Sequence, residues 1–239
     1  MSHEHIASAF DRDLETVQAQ IMKMGGMVEK AILDAADCLA NRDEEQAEQV
    51  RAGDRAIDDL EELINDEAAR IIALRAPTAI DLRLILSVMK IAGNLERIGD
   101  YAKNMAKRTS VLVQMTPIEE ANVSLKRMSR DVQLMLKDAL DAYIRRDAEL
   151  AMDVIHRDRD IDQLYNALFR EFITFMMEDP RNITPCMHLH FIAKNTERMG
   201  DHVTAIAEQV VYLVTGEIPD EDRKKLDLTS IDASITEED

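Results

Sequence analysis

Phe10, Leu14, Val17, Ile21, Met24 and Val28 stand alternately four and three positions apart, the spacing of a helix seam packed in a bundle. They predict a first helix that runs on to about Ala40, with Gly25-Gly26 as the place where it would loosen or bend. Ile57, Leu60, Ile64, Ala68 and Ile71 predict a second helix over roughly 43–75. It must stop near Ala76, because Pro77 lacks the N–H that a helix interior requires. The third seam, from Leu84 through Val88, Ile91, Leu95, Ile98 and Ala102 to Met105, is unbroken. Thr116-Pro117-Ile118-Glu119 has the form of a capping box with proline at the first helical position, and it opens a fourth helix with Leu125, Met128, Val132 and Met135 on its seam. A fifth helix covers roughly 148–178, and a sixth opens at Thr184-Pro185 and reaches Gly216.

The two halves of this pattern repeat one another. Arg42-Asp43 recurs as Arg146-Asp147, and Asp54-Arg55-Ala56-Ile57-Asp58 as Asp158-Arg159-Asp160-Ile161-Asp162, both 104 positions on. Asn94-Leu95-Glu96-Arg97-Ile98-Gly99-Asp100 recurs as Asn195-Thr196-Glu197-Arg198-Met199-Gly200-Asp201, 101 positions on. The change of offset falls around Pro77 and Pro180, where loop length is cheap to vary. The expected fold is therefore all-α: six long antiparallel helices in two tandem three-helix bundles, 8–115 and 117–216. An acidic tail, 217–239, with nine acids against three bases, is expected to be solvated.

Composition narrows this further. Seven Gly and five Pro in 239 residues are too few turn residues for a sandwich or barrel. With 29 basic against 47 acidic side chains, the net charge of −18 is the wrong sign for a nucleic-acid backbone or an anionic membrane surface. No apolar run approaches the roughly 18 residues of a bilayer span. Cys38 and Cys186 lack metal or redox spacing and are expected as buried free thiols, in keeping with a cytoplasmic protein. The seam methionines read as core filler.

One constellation carries chemistry. Glu96 and Asp100 lie four apart on a helix, as do Glu197 and Asp201, so each pair shares a face. At about 100° per residue the first pair lies roughly 100° to 140° round from the seam residue Leu95, so both pairs are expected at the surface. Like charges at this spacing destabilise a helix slightly, by about 0.2–0.5 kcal/mol, and repeating them gains nothing for the fold. They would, however, supply oxygen ligands to a hard cation. A solvated acidic face remains the alternative; Lys103 beside Asp100 suits it.

Glu96-Arg97-Ile98-Gly99-Asp100 and Glu197-Arg198-Met199-Gly200-Asp201, with the upstream Arg-x-x-Asp repeats, resemble the signature of the PhoU family over roughly 8–216. The resemblance implies a cytoplasmic, non-enzymatic negative regulator of phosphate uptake and of the phosphate-starvation regulon. Its implied partners are the ATPase subunit of a phosphate ABC transporter, a sensor histidine kinase and a second copy in a homodimer, with membrane association only through partners. It also implies divalent or trivalent metal (magnesium, manganese, iron or zinc) at Glu96, Asp100, Glu197 and Asp201, with Asp58 and Asp162 as additional ligands.

Other constellations are weaker. His188 and His190 point about 200° apart on a helix and cannot share an ion. Arg97 and Arg198 are expected to pair with acids across helices rather than bind phosphate, and His202 to be a solvated histidine, with modulation of the adjacent Asp201 as the alternative. A phosphate loop, a G-x-S-x-G elbow and an H-E-x-x-H are all absent from the sequence. A ferritin-like carboxylate oxidase would need Glu-x-x-His on two facing helices, and the nearest approach is Asp153-x-x-His156. A metal-free helical adaptor is the other alternative.

Overall fold

The computed structural model describes residues 2–219, with side chains from Phe10 onward. The solvated-tail expectation falls almost wholly on residues 220–239, outside the described ones. Six helices follow in order: α1 Ser2–Asn41, α2 Glu44–Arg75, α3 Ala79–Leu112, α4 Glu119–Arg145, α5 Ala148–Glu178 and α6 Ile183–Thr215, with a 3-10 turn at Pro180–Asn182 before the last.

The repeated Arg-Asp dipeptide is a helix-to-helix turn. Arg42 and Arg146 adopt left-handed backbone at φ 57° and 55°, and the N–H of the next residue reaches back to Cys38 O at 2.9 Å or Ala142 O at 3.0 Å. This closes one helix in a Schellman motif, and the aspartate then opens the next. Asp43 accepts from the Gln46 N–H and Asp147 from the Leu150 N–H, satisfying a donor that the first turn would leave bare. Arg42 also reaches beyond its turn, donating to Val113 O at 2.6 Å and Met115 O at 2.7 Å just past the end of α3.

Two predicted helix starts differ from the observed ones. Thr116 and Pro117 lie outside α4, whose N-cap is Ile118 with no side-chain cap bond. Ile118 is buried, and its insertion into the core takes the place of the expected capping box. At α6 the 3-10 turn, in which Asp179 accepts from the Arg181 N–H, brings the start forward to Ile183. Pro185 then falls within the first turn, where a missing N–H costs nothing.

Helices α1, α2 and α3 pack on one another, as do α4, α5 and α6. Among the described residues α2 and α5 touch only their own set, while α3 packs on α6 and α1 on α4. Both of these contacts are antiparallel: Arg83 meets Tyr212 and Arg108 meets His188, while Glu29 meets Gln133 and Asp37 meets Lys126. Each of the four helices therefore lies against the copy of itself, as a two-fold relation between repeats requires. The apolar core runs without interruption through both halves and includes Met24, Met105, Met128, Met135 and Met199.

At Gly25 α1 remains one helix. The residue serves close packing: a Cβ there would run into Leu140 Cδ1 of α4, whereas one at Gly26 would meet nothing within 4 Å. Cys38 and Cys186 are buried free thiols, and burial pushes the Cys38 thiol up to about 11.

Candidate functional site

The duplicated string lies on α3 and α6, the helices that join the halves. In the first repeat Glu96 and Asp100 are partly exposed, at 24% and 33% of their side chains. Asp54 of α2 lies opposite, buried, and the Lys103 ammonium sits between the two helices. It donates to Asp54 Oδ2 and, at 3.1 Å, to Asp100 Oδ1. The paired carboxylates hold that ammonium above its ordinary pKa. Asp54 Oδ1 is buried without a hydrogen-bond partner.

Asp58 belongs to the same field. Burial, then the charge of Asp54 with a further push from Asp100, raises its carboxyl above the ordinary value, against the pull of Lys103. Glu96 is raised by burial and next by Asp100, with Asp58 adding to it. The four acids therefore form one stripe across α2 and α3 in which each negative charge opposes the next.

The second repeat gathers Glu197 and Asp201 of α6 with Asp162 of α5. Glu197 departs from expectation: it is buried, with 4% exposure, rather than lying at the surface. The reason lies in the covering residues. Lys194 reaches back to Glu197 Oε1 at 3.0 Å and lies 4.9 Å over the Tyr165 ring. The matching positions of the first repeat hold Gly93 and Glu61, so nothing comparable covers Glu96. Burial raises the Glu197 carboxyl, Lys194 opposes the rise, and Asp201 and Asp162 add to it.

Two acids were missed by the sequence reading: Asp54 and Asp158, both buried. The available signal was a carboxylate at a seam position, since Val50, Asp54 and Ile57 keep the core spacing. Asp158 accounts for the glycine of its own repeat, and Ile57 of α2 for that of the first. A Cβ at Gly200 would lie 3.0 Å from Asp158 Oδ1; one at Gly99 would lie 3.1 Å from Ile57 Cδ1 and 3.6 Å from Asp54 Oδ1.

Arg97 pairs along its own helix, with Glu96 at 3.4 Å and Asp100 at 3.9 Å, rather than across helices. Nor is His202 simply solvated: its Nδ1 meets Asn94 Oδ1 of the other repeat at 2.8 Å. The His190 ring sits near those of Tyr165 and Phe169. As a donor set the stripes are all-oxygen and suit a hard cation, and the orphaned Asp54 and Glu197 oxygens agree with that. Spacing is another matter: among the described residues, no three His, Cys, Asp or Glu side chains are gathered closely enough to hold a metal ion. In this arrangement the Lys103 and Lys194 ammonium groups supply neutralising charge.

Comparison with known proteins matches this arrangement. The PhoU domain profile fits twice, over residues 21–109 and 125–210. A phosphate-specific transport system accessory protein PhoU homolog of Rhizobium meliloti is 44% identical over 237 residues, covering 99% of this chain and all of its own 100%. One from Caulobacter vibrioides is 44% identical over 227 residues, covering 95% of this chain and 99% of its own. The crystal structure of PhoU from Pseudomonas aeruginosa superposes with a TM-score of 0.83 at 41% identity, over 87% of this chain and 100% of that one. The phosphate transport system regulatory protein PhoU from Streptococcus pneumoniae gives 0.81 at 32% identity, over 88% and 99%. With the family profile matched in both halves and relatives aligned along almost the whole length, the chain belongs to the PhoU family.

Proposed function

We propose that this protein is a non-enzymatic accessory regulator that restrains phosphate uptake when phosphate is plentiful and holds the phosphate-starvation regulon off. A role in regulating phosphate transport follows from full-length similarity to proteins named as accessory to the phosphate-specific transport system, and that similarity is the observation carrying the reading. Among the described residues, no helix is long and apolar enough to cross a membrane, so contact with a transporter is by docking. The repeats 8–115 and 117–216 each offer a helical face, and Leu63, Leu74, Ile80 and Leu86 on α2 and α3 are exposed apolar side chains suited to one.

The transporter's ATPase subunit and a sensor histidine kinase are the partners in this proposal. Phosphate status changes the fraction of protein held by each, and that population carries the signal. The protein acts in the cytoplasm as a homodimer. A hard cation at Glu96 and Asp100, or at Glu197 and Asp201, with Asp58 and Asp162 in support, would displace the Lys103 or Lys194 ammonium and draw the carboxylates of its stripe together, bracing the docking face.

Deletion in the host is expected to switch on a phosphate-starvation reporter in rich phosphate. Crosslinked co-purification is expected to recover the ATPase subunit and the kinase. A silent reporter, with neither protein recovered, would leave only a helical adaptor of another process.

A further inference from the structure

One and two turns beyond Asp100, α3 and α6 enclose an open pocket of about 460 Å³ lined by Asn104, Lys107, Arg108, Val111 and Asn195. Its charge is opposite to that of the chain as a whole, which carries −18. The lining has two cations and two amides and no carboxylate. Among the described residues neither Lys107 nor Arg108 has an acidic partner.

Arg108 is nevertheless held in place. Its guanidinium lies 4.2 Å from the centre of the Phe191 ring, and Nη1 is 3.2 Å from His188 Nδ1. Burial and the Arg108 charge both lower the pKa of His188, so near neutral pH the imidazole accepts a hydrogen bond and contributes no charge. The aromatic face and the neutral ring orient the guanidinium while leaving its positive charge uncompensated. A planar guanidinium fork, an adjacent ammonium and amide donors from two helices suit an oxyanion that accepts hydrogen bonds in several directions.

The pocket is not a by-product of the duplication. In the other repeat the positions of Asn104, Lys107 and Arg108 hold Ala205, Glu208 and Gln209, so the half-turn that relates the repeats places a carboxylate where this side has an ammonium. Only one side of the α3–α6 pair carries the basic set.

We propose that this pocket binds a phosphate group, presented either as free inorganic phosphate or on a nucleoside phosphate. The assignment stands on the donors of this pocket alone, and neither acidic stripe contributes a residue to it.

Isothermal titration calorimetry on the full chain, in chloride buffer at constant ionic strength, tests it with inorganic phosphate and separately with a nucleoside diphosphate. The wild type is expected to bind at least one probe at one site per chain. Lys107→Gln with Arg108→Gln is expected to weaken that binding at least tenfold, while Glu208→Gln leaves it unchanged. Heat with inorganic phosphate assigns the free anion, and heat with the nucleotide alone assigns the carried group. The proposal is overturned if neither probe titrates, if succinate binds as tightly as the phosphate probes, or if the double variant binds like the wild type. Circular dichroism checks that the variants fold. Should the double variant not fold, Lys107→Gln alone, at an exposed position, must still weaken binding severalfold.

Discussion

Asn94 Oδ1 on α3 lies 2.8 Å from His202 Nδ1 on α6, which ties the first copy of the repeated string to the residue that follows the second. The Tyr101 ring lies 5.7 Å from the same imidazole, so one histidine joins polar and aromatic contacts where the halves cross. Removing either partner of a partly buried hydrogen bond costs about 1 kcal/mol. Asn94→Ala and His202→Ala are each expected to destabilise by about that amount. The double variant should lose less than the sum, with a coupling of at least 0.5 kcal/mol by urea denaturation, about the least expected of residues in direct contact. Strict additivity would show that the bond does not hold the halves together.

Adjacent glycines in α1 should respond with opposite signs. Gly26→Ala fills open space on a helix and is expected to stabilise by about 0.5–1 kcal/mol. Gly25→Ala drives a methyl against Leu140 Cδ1, which sits in a fully packed core, and overpacking of this kind costs about 1–3 kcal/mol. Thermal melts of the two variants in one buffer make the comparison. Equal stabilisation by both would mean that α1 and α4 do not approach as closely as described.

Stability should fall in alkali for an identifiable reason. The Cys38 thiol is pushed from 9.0 to about 11, chiefly by burial, so the native state keeps its proton after the unfolded state has lost it. Its contribution is complete below pH 9 and is lost as the pH rises towards 11, by about 2–3 kcal/mol in total. Tyr143, raised from 10.0 to about 12, also by burial, acts in the same direction over the next interval. Cys38→Ala is expected to flatten the loss between pH 9 and 10.5 in chemical denaturation. In the native wild type both cysteines should resist a thiol reagent at pH 8 until the chain unfolds.

The acidic stripes give the test of metal binding. Glu96→Gln with Asp100→Asn is expected to remove half of the bound metal. Adding Glu197→Gln and Asp201→Asn should remove the rest. Elemental analysis of protein loaded with magnesium, manganese, iron or zinc and then desalted reads this directly. Equal metal in the wild type and the fourfold variant would exclude these residues as ligands.

Much of this was legible along the chain because it is periodic. Helix seams recur every three to four residues, prolines interrupt them, and an internal repeat is visible wherever the same string returns. The Arg-Asp turns show how far local information reaches, since a left-handed residue followed by a capping aspartate is contained within a few positions. Helix starts were less readable. The beginning of α4 depends on Ile118 entering a core built from distant residues, and that contact prevailed over the capping sequence.

The sequence by itself determined that the protein is helical, that it is duplicated, and that four acids recur in register. Their surroundings were decided in three dimensions. Glu96 and Glu197 occupy equivalent positions on equivalent helices, yet one is part-exposed and the other buried, because Tyr165 and Lys194 cover the second where Glu61 and Gly93 leave the first open. Asp54 and Asp158 came to lie buried beside the motif glycines only when α2 and α5 were laid against α3 and α6. Burial and charge coupling depend on neighbours from other helices, and a one-dimensional pattern holds no record of who those neighbours are.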